Sequence, residues 1–470
     1  MVMGTLTQEV EVVVVGAGPG GYPAAIRAAD LGKEVMLIDE RAELGGVCLI
    51  EGCIPSKALI HATELVEHAR EASKFGISFG EITIDIKRLS AFRRSVIDSL
   101  TGGISMLCTK RNIEVVKGRA RFVGSNQLAV EGGDVASVKF KHCIIATGSR
   151  PIVLPTAKDL DLWSSTEALE LREVPKRLLV VGGGYIGLEL GFVYATLGSE
   201  VSVVEMLPSL LTGVDSDLVR FVHKNAKRRF KELMLSTKVT GVRAVDGAYE
   251  VALEDKNGKR SATFDRVLVA IGRRPNSENL GLETTNVKVD GRGFIQVDET
   301  QRTADPRIFA IGDVVGGYML AHKATREGKV AAGVIAGHAE AFDNRAIPAV
   351  VFTAPEVAWA GLTEAQAAEE KLDVTIGRFP LTALGRAKAM GQTDGMVKMI
   401  ADRESQLILG VGIVGPHASE LVAEAALAIE MGATLVDLEA TIHPHPTISE
   451  SLMEAAEVAL GLPVHTLPPR

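Results

Sequence analysis

The chain has 470 residues, too many for a single hydrophobic core, and reads as about three or four domains. A net charge of -8 argues against nucleic acid as the main partner. No apolar run approaches the roughly 18 residues needed to cross a bilayer. Residues 1–8 carry no basic flank and no apolar core, so no export signal is expected and a cytoplasmic location follows as an expectation. There, a persisting disulfide is more often catalytic than structural.

Residues 11–15 predict a short strand. Gly16-Ala17-Gly18-Pro19-Gly20-Gly21 follows, then an Ala-rich helix to about Leu31, then a strand over 35–38 that ends in Asp39. A G-x-G-x-x-G between a strand and a helix, with an acid some 20 residues on, meets the mechanical needs of a dinucleotide-binding βαβ unit. The glycines let the backbone approach a pyrophosphate, the helix N-terminus stabilises its charge, and the acid can bind the adenosine ribose.

Next comes Gly45-Gly46-Val47-Cys48-Leu49-Ile50-Glu51-Gly52-Cys53-Ile54-Pro55-Ser56-Lys57. Residues i and i+5 of a regular helix point roughly 140° apart, too far for a disulfide, whose Cα atoms stand within about 7 Å. A bond between Cys48 and Cys53 therefore requires a bend, which Gly52 permits and Pro55 favours. So short a loop gains little stability from a bridge, which points to chemistry rather than stapling. Two other readings are inert buried thiols and half a zinc site. Zinc takes four Cys or His ligands, or three and a water; Cys108 and Cys143 are scattered and read as core, so no metal is expected.

Residues 57–75 read as a helix, and residues 96–107 as another, weakened by Gly102-Gly103. Residues 113–129 and 239–264 read as small antiparallel ribbons. The dinucleotide pattern returns at a fixed offset of 166: Gly16, Gly18 and Gly21 map onto Gly182, Gly184 and Gly187, Val35 onto Val201, and Asp39 onto Glu205. Such a repeat implies two Rossmann-type units and two dinucleotides. Glu205 suits a ribose 2′-hydroxyl and would repel a 2′-phosphate, so the second dinucleotide is expected to be NAD. The segment Cys143 to Pro151 has a cousin in Val267 to Pro275, and a third in Ile308-Phe309-Ala310-Ile311-Gly312-Asp313. Asp313 is placed to accept hydrogen bonds from a sugar-like chain.

From about Pro348 the pattern changes to strands at 350–352, 373–378, 396–400 and 407–413, covered by helices at 363–371 and 419–431, an α+β domain with no nucleotide signature. Near its end lies Thr441-Ile442-His443-Pro444-His445-Pro446-Thr447-Ile448-Ser449-Glu450. Thr447 and Glu450 have the spacing of a capping box. Alternatively, Glu450 orients His445 as an acid/base next to a thiol.

Together, in this order, these motifs resemble the flavin-dependent pyridine nucleotide–disulfide oxidoreductases over essentially the whole chain, and within them the dihydrolipoamide dehydrogenase family. The resemblance implies an α/β fold of two Rossmann-like dinucleotide-binding domains plus a C-terminal α+β dimerisation domain. It divides the chain into an FAD-binding domain (1–151), an NAD-binding domain (152–280), a central domain returning to FAD (281–347) and an interface domain (348–470). It implies a homodimer with active sites shared between subunits, serving the lipoyl domain and acyltransferase core of a 2-oxo acid dehydrogenase complex.

The resemblance also assigns residues. Cys48 resembles the thiol that meets substrate sulfur, and Cys53 the thiol beside the flavin. Lys57, paired with Glu189, resembles the cation near the flavin, and His445 with Glu450 the acid/base pair. FAD contacts fall on Gly16, Gly18, Gly21, Asp39, Glu40, Gly46, Val47, Lys57, Gly118, Ala120, Thr147, Gly148, Ser149, Asp313, Ala321 and His322. NAD contacts fall on Gly182, Gly184, Tyr185, Ile186, Gly187, Glu205, Val239 and Gly272, with Tyr185 covering the nicotinamide pocket. The implied reaction oxidises dihydrolipoamide through a Cys48–Cys53 disulfide and FAD, and reduces NAD⁺.

Two departures stand out. Glu51, with Ile50, replaces the family's common Asn-Val, and an acid there is expected to disfavour a Cys48 thiolate. Pro444 replaces a more usual Ala and is expected to stiffen the His445 loop. The competing reading is a related NAD(P)H-dependent reductase of glutathione-type disulfides, against which Glu205 stands. A pure scaffold would not need Cys48, Cys53, Lys57 and His445 together.

Overall fold

The computed structural model describes residues 7–468. The first six residues of the stretch read as lacking an export signal lie outside that range. The first strand, Thr7–Val15, begins earlier than its apolar core because it pairs along its whole length with Ser137–Ile145. It also pairs in parallel with Val35–Asp39 through the helix Gly21–Asp30, which buries Ala24, Ala25 and Ala28 on the sheet. Small side chains on that face let helix and sheet approach closely. Glu114–Lys117 extends this sheet in parallel, which corrects its reading as part of an antiparallel ribbon; Arg119–Gly124 and Gln127–Glu131 do form one. Ile308–Ala310 joins Ser137–Ile145 in parallel, so the third cousin segment returns to the first sheet.

The second unit repeats the first. Arg177–Val181 and Glu200–Val204 pair in parallel through the helix Tyr185–Leu197, with Glu232–Met234 and Arg266–Val269 at the edges. A three-stranded antiparallel sheet, Lys238–Val245, Ala248–Asp255 and Gly258–Phe264, follows as expected. The two exit segments pair with each other: Ser149–Pro151 runs antiparallel to Arg273–Pro275, so the repeat meets itself where the units join.

The expected helix over 96–107 is part of a longer one, Ile86–Lys110, which runs through Gly102 and Gly103. Asp85 caps it by accepting the Arg88 amide at 3.0 Å, and Ile97, Thr101, Ile104 and Cys108 are buried. Packing of that stripe outweighs the roughly 1 kcal/mol per glycine that propensity costs.

The C-terminal sheet has five antiparallel strands in the order Ala349–Val351, Glu356–Gly361, Ile408–Gly415, Met396–Asp402, Val374–Pro380. The sequence reading missed Glu356–Gly361, which buries small residues, Ala358 and Ala360, on one face and Val357 on the other. Helices Ala418–Met431 and Glu450–Leu460 pack against this sheet.

Lys398, fully buried on Met396–Asp402, ties this domain to the second unit. Its ammonium lies 2.6 Å from Asp215, 2.8 Å from Asp217 and 3.2 Å from Glu364. Arg378 adds a second cation 2.9 Å from Asp217. Removing one partner of a buried charge cluster leaves the others uncompensated, so Lys398→Met should cost about 3–5 kcal/mol of stability. Thermal unfolding checks this; a midpoint within about 1 °C of the parent would show that the cluster contributes no net stability.

Candidate functional site

A cavity of about 630 Å³ runs from the first glycine turn to the cysteine pair. It is lined by Gly16, Gly18, Asp39, Glu40, Gly46, Val47, Cys48, Cys53, Lys57, Gly118, Ala120, Thr147, Gly148, Ser149, Tyr185, Ile186, Glu189, Asp313 and Ala321. Residues that the sequence spreads over some 300 positions are thus brought to one cleft.

The glycines differ in what they do. A Cβ on Gly16 (φ +103°) would stand 2.3 Å from the Ala146 carbonyl oxygen, and one on Gly21 would stand 1.7 Å from that of Gly16. Gly21 therefore lies behind the turn and closes helix onto strand rather than facing the cavity. A Cβ on Gly18 would meet nothing within 4 Å, so Gly18 borders open space. The second turn repeats this: Gly182 against Ala270 at 2.3 Å, Gly187 against Gly182 at 2.4 Å, Gly184 open.

The acids repeat as well. Asp39 accepts the Ala17 amide at 2.7 Å and the Arg41 amide at 2.8 Å. Glu205 accepts the Gly183 and Leu207 amides, each at 2.7 Å. Each carboxylate braces its glycine turn and keeps lone pairs for a ribose hydroxyl. The elongated cleft, the glycine-lined approach at Gly18 and the braced acid fit an FAD laid along the first unit; the matching turn and acid fit NAD on the second. Val239 is buried in the core of the second unit, and Gly272 (φ +119°) makes the turn after Arg266–Val269.

At the redox end, Gly46–Glu51 and Cys53–Glu71 are separate helices broken at Gly52 (φ −143°, ψ −114°), which confirms the bend. A Cβ there would sit 2.8 Å from the Val47 carbonyl oxygen. In their dithiol form the two cysteines meet across this break, close enough to share a hydrogen bond. Cys48 donates a hydrogen bond to Cys53. The hydrogen bond to Cys53, together with burial, pushes Cys48 far above an ordinary thiol. Cys53 is lowered to about 7, first by the Cys48 hydrogen bond and, against burial, by the Lys57 charge. The Cys48 shift does not come from Glu51, which corrects that expectation. Glu51 turns to Arg41 at 3.0 Å and lies 3.5 Å from the Thr166 hydroxyl, so its charge is answered elsewhere.

Lys57 donates to Glu189 at 2.8 Å across the two units, as expected. At the far wall Ser149 donates to Asp313 at 2.5 Å, and Arg273 donates to Ser149 at 2.7 Å. Arg273 was legible only as part of a repeated exit segment; its hold on Asp313 through Ser149 needed the structure. Burial raises the Tyr185 hydroxyl to about 12, so it stays neutral where it borders the cavity. The His322 side chain is exposed and its Nε2 meets the Pro348 carbonyl oxygen at 2.7 Å, so at this position it is Ala321 that lines the cavity.

His445 Nδ1 lies 2.8 Å from Glu450, which leaves Nε2 free to take a proton. Glu450 also accepts the Thr447 amide at 2.8 Å. Burial raises the Glu450 carboxyl, and these two hydrogen bonds outweigh it, so it sits below the usual carboxylate range. The capping box is only half formed, because the Thr447 hydroxyl donates to Pro444 instead. His445 itself is 77% exposed and is not part of the cavity wall. One chain therefore does not bring His445 to Cys48.

Residues 10–328 match the family described as pyridine nucleotide-disulphide oxidoreductase, and residues 347–456 match its dimerisation domain. The chain belongs to this family. It is 48% identical to a dihydrolipoyl dehydrogenase of Geobacillus stearothermophilus over 469 residues, 99% of this chain and all of the relative. It is 46% identical to one from Haloferax volcanii over 475 residues, with 99% and 100% covered. The crystal structure of LpdA from Mycobacterium tuberculosis superposes with a TM-score of 0.87 at 27% identity, covering 95% of this chain and 99% of that one. Among the described residues no helix is long and apolar enough to cross a membrane.

In the reduced protein, one thiol should deprotonate near pH 7 and the other far above it, read as thiolate absorbance against pH. Lys57→Met should raise the first step by about 1 unit. An unchanged first step would show that Lys57 does not act on Cys53.

Proposed function

We propose that the chain oxidises dihydrolipoamide to lipoamide and reduces NAD⁺ to NADH, releasing one proton, with Cys48 and Cys53 as the redox pair. The observation that carries this reading is the unequal dithiol at the end of a dinucleotide cleft. His445 Nε2 takes the proton of the substrate thiol. The resulting thiolate attacks Cys48, and the Cys48–Cys53 bond breaks. Cys53 leaves as the thiolate because the sulfur with the lower pKa is the better leaving group. Lys57, held by Glu189, keeps positive charge beside it. A second substrate thiolate then displaces Cys48, closing lipoamide and leaving the reduced pair. The turn at Gly16 and Gly18 with Asp39 would hold FAD, which would supply two-electron transfer from the reduced Cys48–Cys53 pair to NAD⁺. Glu205 braces the NAD turn, and neutral Tyr185 separates the nicotinamide position from solvent.

The dimerisation domain supports a homodimer, and His445, remote from the cavity of its own chain, is read as completing the partner's site. The chain is read as divided at 151, 280 and 347, with 281–347 returning to the FAD-binding unit; the strand Ile308–Ala310 on the first sheet supports that return. The partner is read as a lipoyl domain of a 2-oxo acid dehydrogenase complex, and the location as cytoplasmic.

His445→Gln should slow dihydrolipoamide oxidation about 10²–10⁴-fold while sparing electron transfer from NADH to a dye, since that path needs no thiol proton. Equal loss of both would refute the acid/base role. Mixing Cys48→Ser and His445→Gln subunits should restore about a quarter of the parent activity, because only hybrid dimers carry one intact site. No recovery on confirmed hybrids would place His445 in its own chain's site.

A further inference from the structure

We propose that Phe352 is a positioning residue for the redox pair: its ring holds the Lys57 ammonium and its backbone holds Glu189, so that the charge stands beside Cys53. This rests on the redox reading above and adds a residue from a third region of the chain. The Lys57 ammonium lies 4.4 Å from the centroid of the Phe352 ring. The Phe352 amide donates to Glu189 Oε1 at 3.0 Å, while Lys57 donates to Oε2 at 2.8 Å. Each carboxylate oxygen thus has its own donor, and Phe352 touches both members of the pair.

Lys57 needs a second tether. Its side chain is 32% exposed, and a lysine on a flexible four-carbon stem is poorly fixed by one half-exposed ion pair. A ring face adds a constraint from another direction. Glu189 is 4% exposed, so an oxygen left without the Phe352 amide would be a buried unsatisfied acceptor.

The segment that carries Phe352 is itself held. It follows Ala349–Val351, the edge strand of the interface domain. The Thr353 hydroxyl donates to the Pro355 carbonyl at 2.7 Å, and Asn225 donates to Ala354 from the second unit. The charged and titratable groups around Cys53 are Cys48, Lys57, Glu189 and Tyr185; Phe352 touches two of them.

The test is thiolate absorbance against pH in the reduced, FAD-loaded dimer, with Phe352 replaced by mono-, di- and trifluorinated phenylalanine, by Tyr and by Leu. Fluorination keeps the shape and weakens the ring's attraction for a cation. The first thiol step should rise with each fluorine, by about 0.5 unit or more in Phe352→Leu, and stay at the parent value in Phe352→Tyr. The fluorinated series decides the matter if Phe352→Leu fails to fold. A midpoint constant across that series, or an equal shift in the Tyr and Leu variants, would overturn the proposal and leave Phe352 as packing. Failure of the parent protein to oxidise dihydrolipoamide would refute the substrate and leave this thiol measurement standing.

Discussion

The ion pair between Lys57 and Glu189 is the contact on which the active cleft depends. Lys57 stands one helical turn after Cys53, on the helix that starts at Cys53. Glu189 stands one turn into the helix that follows the second glycine turn. Their 2.8 Å contact joins the two dinucleotide units, and it puts a cation beside Cys53, which the proposed reaction has leave as an anion. A thiol in a half-buried cleft would otherwise be pushed upward by burial, as Cys108 and Cys143 are. The same pair is therefore a structural joint, and its Lys57 member adds to the asymmetry between the two cysteines that their own hydrogen bond sets first.

Around that joint the chain uses one solution twice. Each unit closes strand to helix through two glycines with no room for a Cβ, leaves a third glycine open, and braces the turn with a carboxylate 22 positions downstream of the amide it accepts. The units meet where their exits pair, Ser149–Pro151 against Arg273–Pro275. There Arg273 reaches across to Ser149 and through it to Asp313. This link and the Lys57–Glu189 pair, both near Tyr185, help to hold the second unit against the first.

Much of this was legible in the sequence because backbone constraints leave a signature. Gly16, Gly18, Gly21 and their counterparts are demanded by close approach, and Asp39 and Glu205 by the amides left unpaired at the turn. The bend between Cys48 and Cys53 followed from helix geometry once a bond between them was supposed. What was not legible depended on partners distant in sequence. Glu51 looked like a threat to Cys48 until Arg41 was seen to take its charge. Ile86–Lys110 was shortened in the reading because local propensity at Gly102-Gly103 gave no hint of the buried stripe on both sides. Glu356–Gly361 was missed because Ala358 and Ala360 on one face weaken its strand signal, although Val357 is fully buried on the other. His322 was assigned by its place in a motif, which could not reveal that its side chain turns to the Pro348 carbonyl. Phe352 could not be singled out, since nothing about a Phe after a strand marks it as a neighbour of a lysine about 300 residues away.

The most direct test of the central claim is a parallel steady-state assay of the FAD-loaded protein. Dihydrolipoamide with NAD⁺ is run beside glutathione disulfide with NADPH and with NADH. The account predicts fast NADH formation from dihydrolipoamide and negligible glutathione-dependent turnover. Rapid NADPH consumption with glutathione disulfide, and none of the lipoamide reaction, would contradict it.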